Sequence, residues 1–265
     1  MKKKIIFSNS YSPRTGHNFA AEVFKLFVDA EVLVHHRSET RIAPLLDAYY
    51  KIYDKHIYGK KDKDFFDHLF INDLRNKIIA KSNKEFIIIK NTSFVGVEQV
   101  KRVFPDDIQI LLIRDPLSVL KSLFKGMALN KKGVKNKLKR IGLFLGVYPL
   151  YYSYVLAKKQ LKNLPDLSNF LIIRYEDLVL KDDETLQILS ALFKSEKSVE
   201  VIKSEIDNIN VINSSYTNET GAKQIWDAKK KTSKFNPLKR KGHNFLIRSA
   251  LKIGSYPLRK KLGYV

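Results

Sequence analysis

The chain has 265 residues, enough for one α/β domain, and it is read as a single domain over residues 1–265. Apolar residues make up 44% of it, which excludes wholesale disorder, and the lack of cysteine excludes disulfides, thiol chemistry and cysteine-ligated metals. Lys and Arg number 49 against 27 Asp and Glu, a net charge of +22 that points to anionic partners such as phosphates, acidic headgroups or anionic glycans.

The opening Met1–Lys4, followed by only Ile5-Ile6-Phe7, is too short an apolar run for a signal peptide, and with no cysteine the expected compartment is the cytoplasm. The run from Lys4 to Ser8 reads as a buried strand. A loop with Pro13 and Gly16 follows, then Phe19, Val23, Phe24 and Phe27 at helical spacing. A second strand is expected over Glu31–His36, and helices over Ile42–His56 and Phe65–Lys81. A third strand spans Glu85–Lys90, and a helix over Val97–Phe104 is stopped by Pro105. A fourth strand spans Ile108–Ile113, after which Asp115-Pro116 opens a helix, Asp as cap and Pro at the first position.

A basic helical region runs from Lys121 to Lys162. Inside it the stretch Ile141–Ala157 is uncharged and tyrosine-rich. It is shorter than the roughly 20 apolar residues a spanning helix needs. It is read as a core helix, with peripheral docking on an anionic membrane as the alternative. Phe170–Ile173 is the fifth strand and Thr185–Phe193 a helix; Lys229–Lys241 is a charged loop, and the chain ends in a helix. Strands alternating with helices give an α/β fold whose central parallel sheet is flanked by helices.

Two segments carry chemistry. Ser12-Pro13-Arg14-Thr15-Gly16-His17-Asn18-Phe19 joins the first strand to the first helix. Backbone N–H groups at a helix start bind phosphate, Gly16 lets the backbone approach closely, and Arg14 adds a permanent cation. The Walker pattern is absent, since no Lys-Ser/Thr pair follows Gly16. In the second segment an apolar strand ends in Arg114, at the edge where open α/β sheets bind ligands. Ser118 and Ser122 share one face of the following helix, and Arg114 with Ser122 could clamp a second phosphate. The plainer reading of each is an ordinary strand-to-helix turn and a capped helix. No helix-turn-helix, zinc-finger or RNA-binding signature accompanies the charge, so nucleic acid is not expected as a partner.

Together these segments resemble the 5′-phosphosulfate loop (P-R-S-G-T-T) and the 3′-phosphate motif (R-D-P-x-x-x-x-x-S) of sulfotransferases that use 3′-phosphoadenosine-5′-phosphosulfate (PAPS). Arg174-Tyr175-Glu176-Asp177-Leu178 and Leu262-Gly263-Tyr264 resemble two later landmarks, so the likeness spans nearly the whole chain. Ser38-Glu39-Thr40-Arg41-Ile42-Ala43-Pro44 is similar to a segment of the tyrosylprotein sulfotransferases, and related bacterial carbohydrate sulfotransferases are comparable in parts. The resemblance implies a three-layer P-loop-like fold, PAPS as co-substrate with PAP as product, and no metal. It implies that Arg14, Thr15, Gly16, His17, Asn18, Phe19, Arg114, Ser122 and Lys241 bind the nucleotide. Ser233 and Asn236 are further candidates in the C-terminal segment.

It also implies that Arg14 and Lys90 offset charge on the moving group while Glu39 takes the acceptor proton. Arg41 and His36 would contact the acceptor. His36 and His17 remain rival bases, and Glu39 could instead pair with Arg37 or Arg41. His17-Asn18 stand where the loop motif has Thr-Thr, and Asn91-Thr92 where the tyrosylprotein group has Asp-Pro. The expected acceptor is a hydroxyl on a glycan or glycolipid, with peptide tyrosine as the alternative. The rival functions are a P-loop nucleotide phosphotransferase and a non-catalytic basic module for glycan or membrane.

Overall fold

The structure is a computed structural model. It describes residues 3–33, 39–55, 57–126, 134–212, 216–217, 223–224, 228–229, 236–238 and 243–265. In chain order, β1 (Lys4–Asn9), α1 (His17–Phe27), β2 (Ala30–Leu33), α2 (Ile42–Tyr53), α3 (Lys60–Phe70), α4 (Leu74–Ile79), β3 (Phe86–Asn91), α5 (Val97–Val103) and β4 (Ile108–Ile113) come first. Then follow α6 (Pro116–Gly126), α7 (Val134–Phe144), α8 (Val147–Lys162), β5 (Leu171–Arg174), α9 (Tyr175–Leu180), α10 (Asp183–Phe193) and α11 (Val199–Asn208). Four two-residue strands, β6 (Val211–Ile212), β7 (Tyr216–Thr217), β8 (Lys223–Gln224) and β9 (Ala228–Lys229), precede α12 (Phe245–Lys261). The chain packs as two compact units, Met1–Leu112 with Pro165–Ile209, and Ile113–Leu164 with Asn210–Val265.

The first unit is built on a five-stranded sheet in the order β2-β3-β1-β4-β5. Strand β1 pairs in parallel with β3 and β4, and β3 with β2. Successive side chains point to opposite faces of the sheet, and both faces are buried. Ile5, Phe7, Ile87 and Ile89 face Ala43 and Leu46 of α2, Val100 of α5 and Phe104. On the opposite face Phe86 meets Phe193 of α10, which also touches Phe24 and Phe27 of α1. Helices therefore cover both faces, and the apolar runs predicted as strands are buried on both sides. Each fully buried side chain of this size contributes about 1.5–3 kcal/mol.

The helix predicted over Phe65–Lys81 is two helices. Asn72 and Asp73 favour turns over helix interiors. The amides of Ile71 and Asn72 both donate back to the Asp67 carbonyl, which ends α3 before α4 restarts. Helix α4 is then pinned by Arg75, which grips the buried Asp107 carboxylate through Nε (2.7 Å) and Nη2 (2.9 Å). The same carboxylate accepts the Ile5 amide at 2.9 Å, so it is satisfied without water. Strand β2 ends at Leu33; Val34–His36 of the predicted strand lie outside the described residues.

The second unit is built on helices, with the short strands β6–β9 besides. Leu120 and Phe124 of α6 and Ile247 and Leu251 of α12 form its core, joined by Leu143 of α7 and Tyr148, Tyr152 and Leu156 of α8. The predicted basic helical region is thus the end of α6, then α7 and α8, separated after α7 by Gly146 with φ +76°. Helix α12 crosses α8 closely: a Cβ on Gly254 would fall 2.0 Å from Ser153 Oγ and 2.6 Å from the Leu150 carbonyl oxygen. Charge divides sharply between the units. The first carries 24 Lys and Arg against 24 Asp and Glu, and the second 25 against 3, so the whole excess of +22 lies in the second.

Candidate active site

In the first unit the parallel register places Ser8 opposite Lys90 and Asn9 opposite Asn91, so β1 and β3 end at the same edge of the sheet. Lys90 is the penultimate residue of β3 and only 1% exposed. A buried ammonium is retained only where it is hydrogen-bonded or paired. Lys90 Nζ donates to Asn18 Oδ1 at 2.8 Å, which brings it to the first turn of α1. The amides of a first helical turn have no intrahelical acceptor and carry partial positive charge. Lys90 and the start of α1 therefore concentrate positive charge at one place.

The segment before α2 docks on the same strand end. The Thr40 amide donates to the Lys90 carbonyl at 2.9 Å, and Thr40 Oγ1 donates to Asn91 Oδ1 at 3.0 Å. Asn91 in turn donates to Asn9 Oδ1 at 2.8 Å. Glu39 is exposed, and its Oε2 accepts from Thr92 Oγ1 at 3.1 Å. Glu39 is thus held beside the end of β3 by a residue two positions beyond Lys90. Arg14 is half-buried in the loop, and Arg41 is exposed at the start of α2.

The His17 side chain is engaged inside the loop. It is buried between Ser8 Oγ (3.0 Å from Nδ1) and Ser10 Oγ (2.7 Å from Nε2). The Ser10 hydroxyl donates to the Ser12 carbonyl, so Ser10 accepts from Nε2–H and Nδ1 accepts from Ser8. Burial, with Lys90 nearby, lowers the pKa of His17 from 6.5 to about 3. A neutral imidazole with both nitrogens engaged holds the loop against β1. It is a poor proton acceptor at neutral pH, and only its backbone N–H remains to meet an anion.

Sequence reasoning did not anticipate what Tyr175 does. Gly16 has φ +110°, which L side chains rarely adopt, and a Cβ there would lie 2.2 Å from the Tyr175 ring. The same ring meets Phe19 edge-on at 5.8 Å. The first residue of α9 thus braces the loop and the first turn of α1. The signal was present as Arg174-Tyr175-Glu176-Asp177-Leu178, but nothing local in it names Gly16 as its partner.

In the second unit Arg114, 2% exposed, donates from Nη2 to the Pro237 carbonyl at 2.9 Å. Ser122 is buried on α6. Asn236, next to Pro237, accepts the Leu238 amide through Oδ1 at 2.9 Å. The C-terminal segment singled out from the sequence therefore reaches Arg114, although Lys241 and Ser233, like His36, lie outside the described residues. Asp115 Oδ1 accepts the Leu117 amide at 3.1 Å and Arg259 Nε at 2.9 Å. Arg259 also donates to the Tyr264 carbonyl at 3.1 Å, and the Tyr264 amide returns to the Arg259 carbonyl. With Gly263 at φ +72°, the terminal Leu262-Gly263-Tyr264 is a helix stop that holds Arg259 onto Asp115. Among the described residues no group of three or more His, Asp or Glu side chains is placed to hold a metal ion.

A sequence model described as the sulfotransferase family matches residues 17–196. No curated protein sequence matches the chain. Among solved structures, the sulfotransferase domain from the curacin biosynthetic pathway is 14% identical, with 100% of this chain and 99% of that one covered and a TM-score of 0.44. The sulfotransferase from Alicyclobacillus acidocaldarius is 11% identical over 78% of this chain and 90% of that one, with a TM-score of 0.44. The sulfotransferase domain of the Synechococcus PCC 7002 olefin synthase is 12% identical over 76% of each, with a TM-score of 0.41.

Proposed function

The chain belongs to the sulfotransferase family and is a PAPS-dependent enzyme of it, and from that premise we propose which residues carry the transfer and what accepts it. The observation that carries the assignment is the buried Lys90 ammonium on Asn18, at the start of α1. Arg14, Thr15, Gly16, Asn18 and the amides of His17 and Phe19 hold the 5′-phosphosulfate. Arg114 and Ser122, with Lys241 from the C-terminal segment, take the 3′-phosphate. Lys90 and Arg14 stabilise charge as the bond between sulfur and the bridging phosphate oxygen breaks and PAP leaves. Glu39 receives the hydroxyl proton as the acceptor oxygen bonds to sulfur. Arg41 and His36 contact the acceptor, and the transfer needs no metal.

The acceptor is a hydroxyl on a glycan or glycolipid, used in polysaccharide biosynthesis in the cytoplasm, with peripheral contact at the inner face of the membrane. The basic excess of the second unit, together with its uncharged, tyrosine-rich stretch Ile141–Ala157, supports this reading over a peptide tyrosine. The test is binding and transfer on one preparation. Thermal denaturation with PAP should show a stabilising shift in the wild type and a much smaller one in Arg114→Ala. An unchanged shift in that variant removes Arg114 from the nucleotide site. Incubation with radiolabelled PAPS and extracted acceptors should label carbohydrate; label confined to tyrosine overturns the acceptor.

A further inference from the structure

The helices α7, α8 and α12 each turn one side to the core around Phe124 and Leu251, through Leu143, Tyr148 with Tyr152, and Ile247. A helix with one buried stripe ordinarily presents polar residues on the other. Here the opposite side mixes exposed apolar residues with cations. Val134, Leu138 and Ile141 recur at i, i+4 and i+7 on α7 and are 77%, 64% and 49% exposed. Val147, Tyr151 and Tyr154 continue this on α8, and Phe245, Ile253 and Tyr256 on α12. Helix α8 packs against both neighbours, since a Cβ on Gly142 of α7 would lie 3.2 Å from Tyr148 and one on Gly254 of α12 would lie 2.0 Å from Ser153 Oγ, so the three outward faces adjoin.

Cations stand among and beside these residues. Lys137 and Arg140 on α7, Lys158 and Lys162 on α8, and Lys252 and Lys260 on α12 are exposed. From Pro116 to Pro165 there is no Asp or Glu, and none follows Asp227. A groove lined by Leu161, Tyr256, Pro257, Lys260 and Lys261 has an apolar floor with cations beside it. No helix among the described residues is long and apolar enough to cross a membrane.

We propose that the outward faces of α7, α8 and α12 dock on the surface of an anionic lipid bilayer, their apolar residues entering the interface while the neighbouring lysines and arginines meet lipid phosphates. Charge complementarity selects this occupant. A second copy of the chain would set two strongly positive units against each other. A polyanion in water, nucleic acid or free glycan, would engage the bases and leave the apolar stripe exposed. The surface deepens the peripheral-contact part of the functional reading and rests on it, but not on sulfuryl transfer.

The test is co-sedimentation of the full chain with vesicles of phosphatidylcholine alone, or with about one third phosphatidylglycerol. Only the anionic vesicles should capture it, and raising salt from about 0.1 M to about 1 M should weaken capture as screening shortens. The triple substitution Leu138→Asn, Ile141→Asn, Tyr151→Ser should lower partitioning at least about tenfold while the thermal shift with PAP stays as in the wild type. Because the chain has no cysteine, Leu138→Cys can carry one environment-sensitive dye, which reports insertion even if the triple variant fails to fold. The dye should shift to the blue on anionic vesicles, whereas the same dye on Glu200→Cys, exposed on α11, should not. Equal capture by neutral vesicles, undiminished capture of the triple variant, a dye at 138 that stays water-like on captured protein, or a lipid-free dimer broken by the triple variant would each overturn the proposal. A lost PAP response with vesicle binding intact would instead count against the enzymatic reading.

Discussion

The two compact units hold nearly equal numbers of cations, 24 and 25, yet one is neutral and the other carries the entire +22. In the neutral unit the informative cations are few and fixed: Lys90 is buried on Asn18, and Arg75 is locked on Asp107. Among the described residues of the basic unit, cations such as Lys137, Lys158 and Lys252 are exposed on helices, whereas Arg114 is buried and Arg259 is held by Asp115. Net charge read over the whole chain therefore misplaces the attraction. The excess does not lie in the unit that holds Lys90 and Glu39, and it exceeds what one doubly phosphorylated nucleotide would need. Placement gives a charge catalytic meaning, and abundance gives a surface its long-range pull.

The largest effect that could break this contrast is expected at Lys90. Lys90→Ala should lower turnover about 10²–10³-fold, the range for loss of one preorganised charge donor, while the PAP-induced thermal shift persists. Wild-type turnover would falsify the role given to the neutral unit. Next comes Gly16→Ala, which meets both a strained φ and the Tyr175 ring. It should cost about 2–4 kcal/mol in chemical denaturation. Adding Tyr175→Ala should restore the part due to collision and leave the part due to φ, so a non-additive cycle is expected. Strict additivity would mean that the ring yields freely.

How much of this was legible follows from the range over which each signal acts. Strands β1, β3 and β4 stand out because burial on both faces demands unbroken apolar runs such as Ile5-Ile6-Phe7 and Ile87-Ile88-Ile89. Helix α9 hides because Tyr175–Leu180 continues β5 without a breaker. Helix α11 buries only Ile202 and Ile206, too sparse a stripe to reveal its period. The Ser8–His17–Ser10 network is silent in the sequence, since serines on a strand look like packing. The Gly16–Tyr175 contact joins distant parts of the chain. The division of charge is hidden because each unit is assembled from two separated segments.

The pH response should sharpen the contrast from the neutral side. His17 has a folded pKa of about 3 against 6.5 without the fold. Between those values the unfolded chain takes up a proton that the folded chain refuses. The stability contributed is whole above about pH 6.5 and declines as pH falls, with about 2 kcal/mol gone by about pH 5. Thermal denaturation across that range should show a shallower acid loss in His17→Gln than in the wild type. Identical slopes would mean that the imidazole is accessible to protons in the folded state.

The smallest effect is expected in the basic unit, at the pair Asp115 and Arg259. Their side chains are 20% and 12% exposed, so the 2.9 Å contact is only partly screened. Each partner also makes a second contact, Asp115 accepting the Leu117 amide at the start of α6 and Arg259 binding the Tyr264 carbonyl. Single truncations should therefore cost more than the pair itself contributes, because each leaves a partly buried group unsatisfied. A double-mutant cycle with Asp115→Ala and Arg259→Ala should isolate a coupling of about 1 kcal/mol. Asp115→Asn, which keeps an acceptor for Leu117 and removes the charge, should lose the coupling and retain most of the cap. A coupling indistinguishable from zero would mean that Leu262-Gly263-Tyr264 ends α12 without tying it to Asp115.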